Sequence, residues 1–218
     1  MELPRRVVKM ARKLGVRRVQ HMSANGADPL GPSSYLRTKG LGARIVREAG
    51  EEPNRGPTPF LDGPKLTRAE GLAVTIFEPS IIFGEGDHFF NQFARLVRLP
   101  GPFPLPRAGT RFQPVWVEDV AEAYVRTLAD PQSFGRTYQL CGPHTYTFAD
   151  LVRFTAEVQG RRKRIWPLPD ALGVAQAWLL EHLPGRPMTR DQFRSLLVDN
   201  VCGGEPFPAA LGIDPQSL

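Results

Sequence analysis

Ser23, Tyr35 and Lys39 have the types and spacing for chemistry at a carbonyl or an alcohol. Residues four apart, as Tyr35 and Lys39 are, share one face of a helix. An ammonium beside a phenol favours the phenolate and lowers a pKa that is ordinarily about 10. Such a phenol passes a proton to or from a substrate oxygen. A serine at a strand end hydrogen-bonds the same oxygen, and the lysine can hold a ribose hydroxyl. A surface tyrosine lying over a lysine stem gives the same pattern, so the surrounding elements must decide. His21, His88, His144 and His182 fit no metal-ligand spacing, and neither do Cys141 and Cys202.

The flanking sequence alternates helix and strand. Leu3 to Leu14 repeats apolar residues on one face, and Gly15 suits the helix end. Val16 to Ser23 reads as a strand that delivers the serine into a loop. Ser33 or Ser34 caps a helix through Tyr35, Lys39, Ala43 and Val46. Leu72 to Phe77 is a buried type of strand, and Phe89 to Leu99 an amphipathic helix. The stretch Pro100 to Pro106 is expected to be irregular. Phe112 to Val117 is a short strand. Asp119 or Glu118 opens a helix through Leu128, and Arg136 to Leu140 is another strand. Thr147, Asp170 and Thr189 or Asp191 then start three helices. Alternation of this kind predicts an α/β fold with a parallel sheet. The predicted layout is a Rossmann-like sheet lacking its first βα units, over 1–143, with an irregular insertion at 51–70. A small, mainly helical lobe over 144–218 follows. A sheet without its first strands leaves an apolar edge.

A chain of 218 residues buries a real core. Its net charge is +6, concentrated in Arg5 to Arg18 and in Arg161 to Arg164. No nucleic-acid module or interleaved aromatic stripe accompanies these clusters, so they read as solvated surfaces and exclude a nucleic-acid partner. Two cysteines make no disulfide scaffold and point to a reduced, intracellular compartment. No segment approaches the roughly 18 apolar residues of a membrane span.

Several short runs together carry a resemblance. They are His21-Met-Ser-Ala24, Tyr35-Leu-Arg-Thr-Lys39, Phe77-Glu-Pro-Ser-Ile-Ile-Phe-Gly84 with Gly86-Asp87, and Phe112-Gln-Pro-Val-Trp-Val-Glu-Asp-Val-Ala121. Tyr138-Gln-Leu-Cys-Gly-Pro143, Met188-Thr-Arg-Asp-Gln192 and Val198-Asp-Asn200 continue it. In this order they resemble an atypical or extended short-chain dehydrogenase/reductase of the NAD-dependent epimerase/dehydratase superfamily. The closest resemblance is to the nucleotide-binding accessory subunit of respiratory complex I and its bacterial homologues.

The resemblance implies an NAD(P)-binding domain, with NADP or NAD as cofactor. It assigns Ser23, Tyr35 and Lys39 to catalysis, and Tyr35, Lys39, Pro79 and Ser80 to the cofactor. It gives Asp119 a structural place at a helix start, where an ordinary N-cap also accounts for it. It implies a respiratory-complex-like partner and peripheral membrane association. The expected location is the cytoplasm or the inner face of a respiratory membrane, the mitochondrial matrix side in a eukaryote. Three departures stand out. No Gly-x-x-Gly-x-x-Gly turn occurs in these residues. Glu78 stands where relatives carry arginine, and the segment between Gly50 and Gly71 is extra. The chain is therefore expected to be N-terminally incomplete and to turn over little or not at all. The alternative is an NAD(P)-dependent reductase, epimerase or dehydratase of a sugar nucleotide or isoprenoid-like substrate, working through Tyr35 and Lys39.

Overall fold

A computed structural model describes residues 2–51, 72–184, 187–203 and 211–218. The chain opens with α1 (Glu2–Lys13), β1 (Arg18–Met22), α2 (Ser34–Glu51) and β2 (Ala73–Pro79). Next come β3 (Ile82–Phe83), α3 (His88–Leu96), β4 (Phe103–Pro106), β5 (Arg111–Phe112), β6 (Val115–Trp116) and α4 (Val117–Leu128). The remainder is β7 (Thr137–Leu140), β8 (Tyr146–Thr147), α5 (Phe148–Val158), β9 (Ile165–Leu168), α6 (Asp170–Glu181) and α7 (Arg190–Ser195). The expected insertion at 51–70 lies, apart from Glu51, outside the described residues.

A parallel sheet in the order β1-β2-β7 forms the middle layer. β2 is central, and its period-two alternation sends residues to both faces. Val74 and Ile76 pack with Val8 of α1 and with Ala43, Val46 and Ala49 of α2. Phe77 packs on the other side with Val120 and Ala123 of α4 and with Leu140. The sheet is thus covered by helices on both faces, as a parallel sheet requires.

At the amino-terminal end of the sheet a polar knot takes over. The Arg18 guanidinium donates to the Thr75 hydroxyl at 2.8 Å and to the Thr127 carbonyl at 2.8 Å. It also lies 4.8 Å from the centre of the Phe134 ring. The Thr75 hydroxyl donates in turn to the Ser133 carbonyl at 2.6 Å.

A second core is rich in phenylalanine. Phe112 and Phe148 are buried with Val97, Leu105, Leu151 and Val152, and Phe89 and Phe93 pack against them. It draws on α3, β4 and β5 as well as on α5, so residues from both sides of position 143 contribute. Contrary to expectation, part of the Pro100–Pro106 stretch is regular: β4 pairs in parallel with β9. Prolines are tolerated because this sheet has only two strands, and each strand leaves one side of its backbone unpaired. Asp170 is expected to cap α6 but is instead its first residue, with Pro169 at the cap position. Thr147 and Thr189 do cap α5 and α7, each in a reciprocal capping box.

Candidate functional site

The three parallel strands end together, and the notable side chains follow directly. After β1, the Ser23 N–H donates to the Phe77 carbonyl at 2.7 Å, which extends the ladder and fixes a buried serine. After β2, the Ser80 N–H donates to the Leu140 carbonyl at 2.9 Å. The Asn25 N–H reaches the Pro79 carbonyl at 2.8 Å. Ser33 caps α2, its hydroxyl accepting from the Leu36 N–H at 3.1 Å. This places Tyr35 in the first turn and Lys39 one turn on. The Lys39 ammonium donates to the Met22 carbonyl at 3.3 Å, and the Ser23 hydroxyl to the Lys39 carbonyl at 3.4 Å. Gly40 lets α2 approach this loop, since a Cβ there would stand 2.6 Å from the Asp28–Pro29 backbone. Ser23, Lys39 and the Pro79–Ser80 turn therefore gather at the carboxyl end of the sheet, where open α/β sheets bind ligands. Tyr35 adjoins them on α2 and is half exposed.

The electrostatics differ from expectation in one respect. The Lys39 ammonium lies 5.9 Å from the centre of the Tyr35 ring, over its face. Partial burial pushes the phenol up from its ordinary value, although half of the residue still meets solvent. The expected lowering by lysine is not seen: burial sets the direction of the shift, and the Lys39 ammonium donates to the Met22 carbonyl. Burial, and secondarily Lys39, push the neighbouring His21 down. Burial raises the Glu78 carboxyl, with Arg47 opposing.

Residues that sequence reasoning left without a role cover the carboxyl end of the sheet. Asp191, at the start of α7, accepts from the backbone N–H of Ser34 at 2.6 Å and of Tyr35 at 3.0 Å. Burial works against its charge, but these donors hold the carboxyl below the usual carboxylate range. The Ser195 hydroxyl donates to that of Ser33 at 2.8 Å. After α7 an irregular strap crosses the strand ends. Its Asn200 carbonyl lies 2.9 Å from the Ser80 hydroxyl, and its Nδ2 donates to the Asn25 carbonyl at 3.4 Å. The Cys202 N–H donates to the Gln113 side chain at 3.1 Å. Cys141, directly after β7, is joined to Cys202 by a disulfide. The reading of a reduced cysteine pair is thereby corrected: the sulfurs are bonded, and 61 residues of separation gave no local sign of it. Asp119 is a further correction to the N-cap reading. It lies buried within α4, whose cap is Trp116, and accepts from the Gln216 N–H at 2.9 Å.

The donor set fits the nicotinamide–ribose end of a dinucleotide. A phenol and an ammonium can meet ribose hydroxyls, and a proline-serine turn can meet the amide. For the pyrophosphate, the sequence holds no glycine-rich turn.

Comparison with known proteins follows the same line. No family model matches the sequence. The NADH dehydrogenase (ubiquinone) 1 alpha subcomplex subunit 9 of Mus musculus is 30% identical over 100% of this chain and 53% of its own length. The subunit of that name from Arabidopsis thaliana is 33% identical over 75% of this chain and 36% of its own. The chain spans about half the length of the mouse relative, or less in the plant one. Among solved structures, an NADPH-dependent quinone oxidoreductase from Escherichia coli, complexed with NADPH, superposes with a TM-score of 0.69. It is 15% identical, with 98% of this chain and 67% of that one covered. A nucleoside-diphosphate-sugar epimerase from Staphylococcus aureus gives a TM-score of 0.67 at 13% identity, covering 98% and 67%.

Proposed function

For this chain, a sequence relative of the subunit 9 proteins of respiratory complex I with the fold of short-chain dehydrogenase/reductases, we propose binding of NADP or NAD without significant turnover. The observation that carries the binding is the gathering of Ser23, Lys39, Pro79 and Ser80 at the carboxyl ends of parallel strands, with Tyr35 beside them. Lys39 and Tyr35 hold the ribose, and Pro79 and Ser80 line the nicotinamide end. A bound dinucleotide supplies hydride transfer chemistry. Support for low turnover comes from the Tyr35 phenol, which partial burial pushes up rather than down, opposite to the direction a phenolate base needs. The boundary at residue 143, between a dinucleotide part and a cap, belongs to the same proposal.

We further propose that the chain serves as an accessory subunit of a respiratory-complex-like assembly, peripheral to the membrane and on its matrix side in a eukaryote. The relatives' names support this reading. So do the exposed Leu172, Trp178 and Leu179 of α6 and Leu183 just after it, with exposed Trp166 on β9. Among the described residues no helix is long and apolar enough to cross a membrane.

Titration of NADPH and NADH into the purified protein tests the site. Saturable binding is expected, about tenfold weaker in Lys39→Met, on the scale of one lost charge-assisted hydrogen bond. Absence of binding by either nucleotide overturns the reading. Turnover of a sugar nucleotide or an isoprenoid-like substrate that disappears in Tyr35→Phe would establish the enzyme alternative, which the retained trio favours.

A further inference from the structure

We infer that the Cys141–Cys202 disulfide is a redox-controlled clamp, which holds the strap across the carboxyl-end crevice when oxidised and frees it when reduced. The two sulfurs have unequal settings. Cys141 is buried at the end of β7, and its neighbour Gly142 is wedged so that a Cβ would stand 2.0 Å from the Pro114 carbonyl oxygen. This half of the bond is fixed to the sheet. Cys202 is only partly buried and belongs to a segment without regular structure.

Apart from the disulfide, the strap is held mostly by polar contacts, which include a backbone bridge from Asn200 to Phe112 with the Asn200 N–H donating to the Arg111 carbonyl at 2.8 Å. The Asp199 carboxylate accepts from the Arg111 backbone N–H at 2.8 Å and from its guanidinium at 2.9 Å. Asn200 reaches Ser80 and Asn25, and the Gly203 N–H donates to the Gln139 side chain at 3.1 Å. From Leu197 to Gly203 no residue is fully buried. Phe193 before the strap and Ile213 after it are buried, but within 197–203 water replaces the polar contacts at small net cost, so the disulfide is the strongest tie of that segment.

The step balances with a dithiol as reductant. One thiolate of the dithiol attacks the reachable Cys202 sulfur, the Cys141–Cys202 bond breaks, and Cys141 leaves as a thiolate that takes up a proton. The second thiol of the reductant then displaces Cys202. The protein gains two thiols, and the reductant becomes a disulfide. The consequence for ligand binding rests on the dinucleotide reading; the movement of the strap does not.

Thiol counting and hydrogen exchange on the purified protein test the proposal. Maleimide labelling of the denatured chain, followed by mass measurement, should give no adduct before dithiothreitol and two after it. Amides of 200–203 should exchange at least tenfold faster in the reduced protein. Cys202→Ser should exchange like the reduced protein with or without dithiothreitol. NADPH affinity should change at least threefold between the two redox states of the natural sequence, and not in Cys202→Ser. Two adducts before reduction, unchanged exchange on reduction, or equal NADPH affinity in both states would each overturn the clamp. Where no NADPH binds in either state, the dinucleotide reading fails, and the exchange rates alone uphold or overturn the clamp.

Discussion

The two ends of the parallel sheet are closed by different means. At the amino-terminal end, Arg18 of β1 ties together Thr75 of β2 and the end of α4, and all of these belong to the layers they seal. At the carboxyl end the closing groups come from α7 and the strap, which belong to neither the sheet nor the helices packed on it. There Asp191 holds the start of α2, Asn200 meets Ser80, and Cys202 is bonded to Cys141. An end knotted by its own layers has no room to open. An end covered by a borrowed segment opens when that segment is released. On the proposed reading, the sheet divides stability and binding between its two ends.

Four substitutions probe that division. Arg18→Ala should have the largest effect on folding, about 4 kcal/mol, because several hydrogen bonds to a charged donor are lost together. Urea unfolding measures the loss, while nucleotide affinity of the folded fraction should not change. An affinity loss as large as that of Lys39→Met would break the comparison. Gly142→Ala forces a Cβ against the Pro114 carbonyl and should cost about 3 kcal/mol, at the upper end for overpacking. A thermal shift near zero would mean that the fixed half of the clamp is not fixed. Cys202→Ser should cost about 2 kcal/mol under oxidising conditions, and nothing relative to the reduced natural sequence.

Asp191→Asn should have the smallest effect, about 1 kcal/mol at neutral pH, as for other caps. Its sign with pH is determined by the depressed carboxyl. The contribution is present above the ordinary carboxylate range and is lost as pH falls through the folded value. Unfolding curves of the two proteins should therefore converge in acid. A gap that persists at low pH would show that Asp191 acts through packing.

Local chemistry made much of the fold legible. Ser33, Thr147 and Thr189 announce helix starts because capping is written within four residues. The strand β2 shows as an apolar run, and β1 and β7 as short extended stretches between turns. The trio was legible through spacing, and so was its place at a strand end. Partners far apart in the chain were not. Asp191 lies 157 residues from Ser34, and Asn200 lies 120 from Ser80. Nothing near either residue indicates its partner. Asp119 looked like a cap because an acidic residue in the first turn is common in both roles, and only burial separates them. β4 was hidden by its prolines, which forbid a central strand and permit a two-stranded one. The direction of the phenol shift needed the burial of Tyr35, which spacing does not supply.

The separations in the strap also set an order in time. β1, β2 and β7 are complete once residue 140 has been made, and the helices that cover both faces of the sheet precede it. The crevice at their carboxyl ends gains its cover only after Asn200 and Cys202 have been added. At roughly 5–20 residues per second, the nascent chain spends several seconds with its sheet assembled and that end uncovered. The carboxyl end of the sheet is thus covered late, and a ligand or a partner subunit present during synthesis would meet it before the strap does.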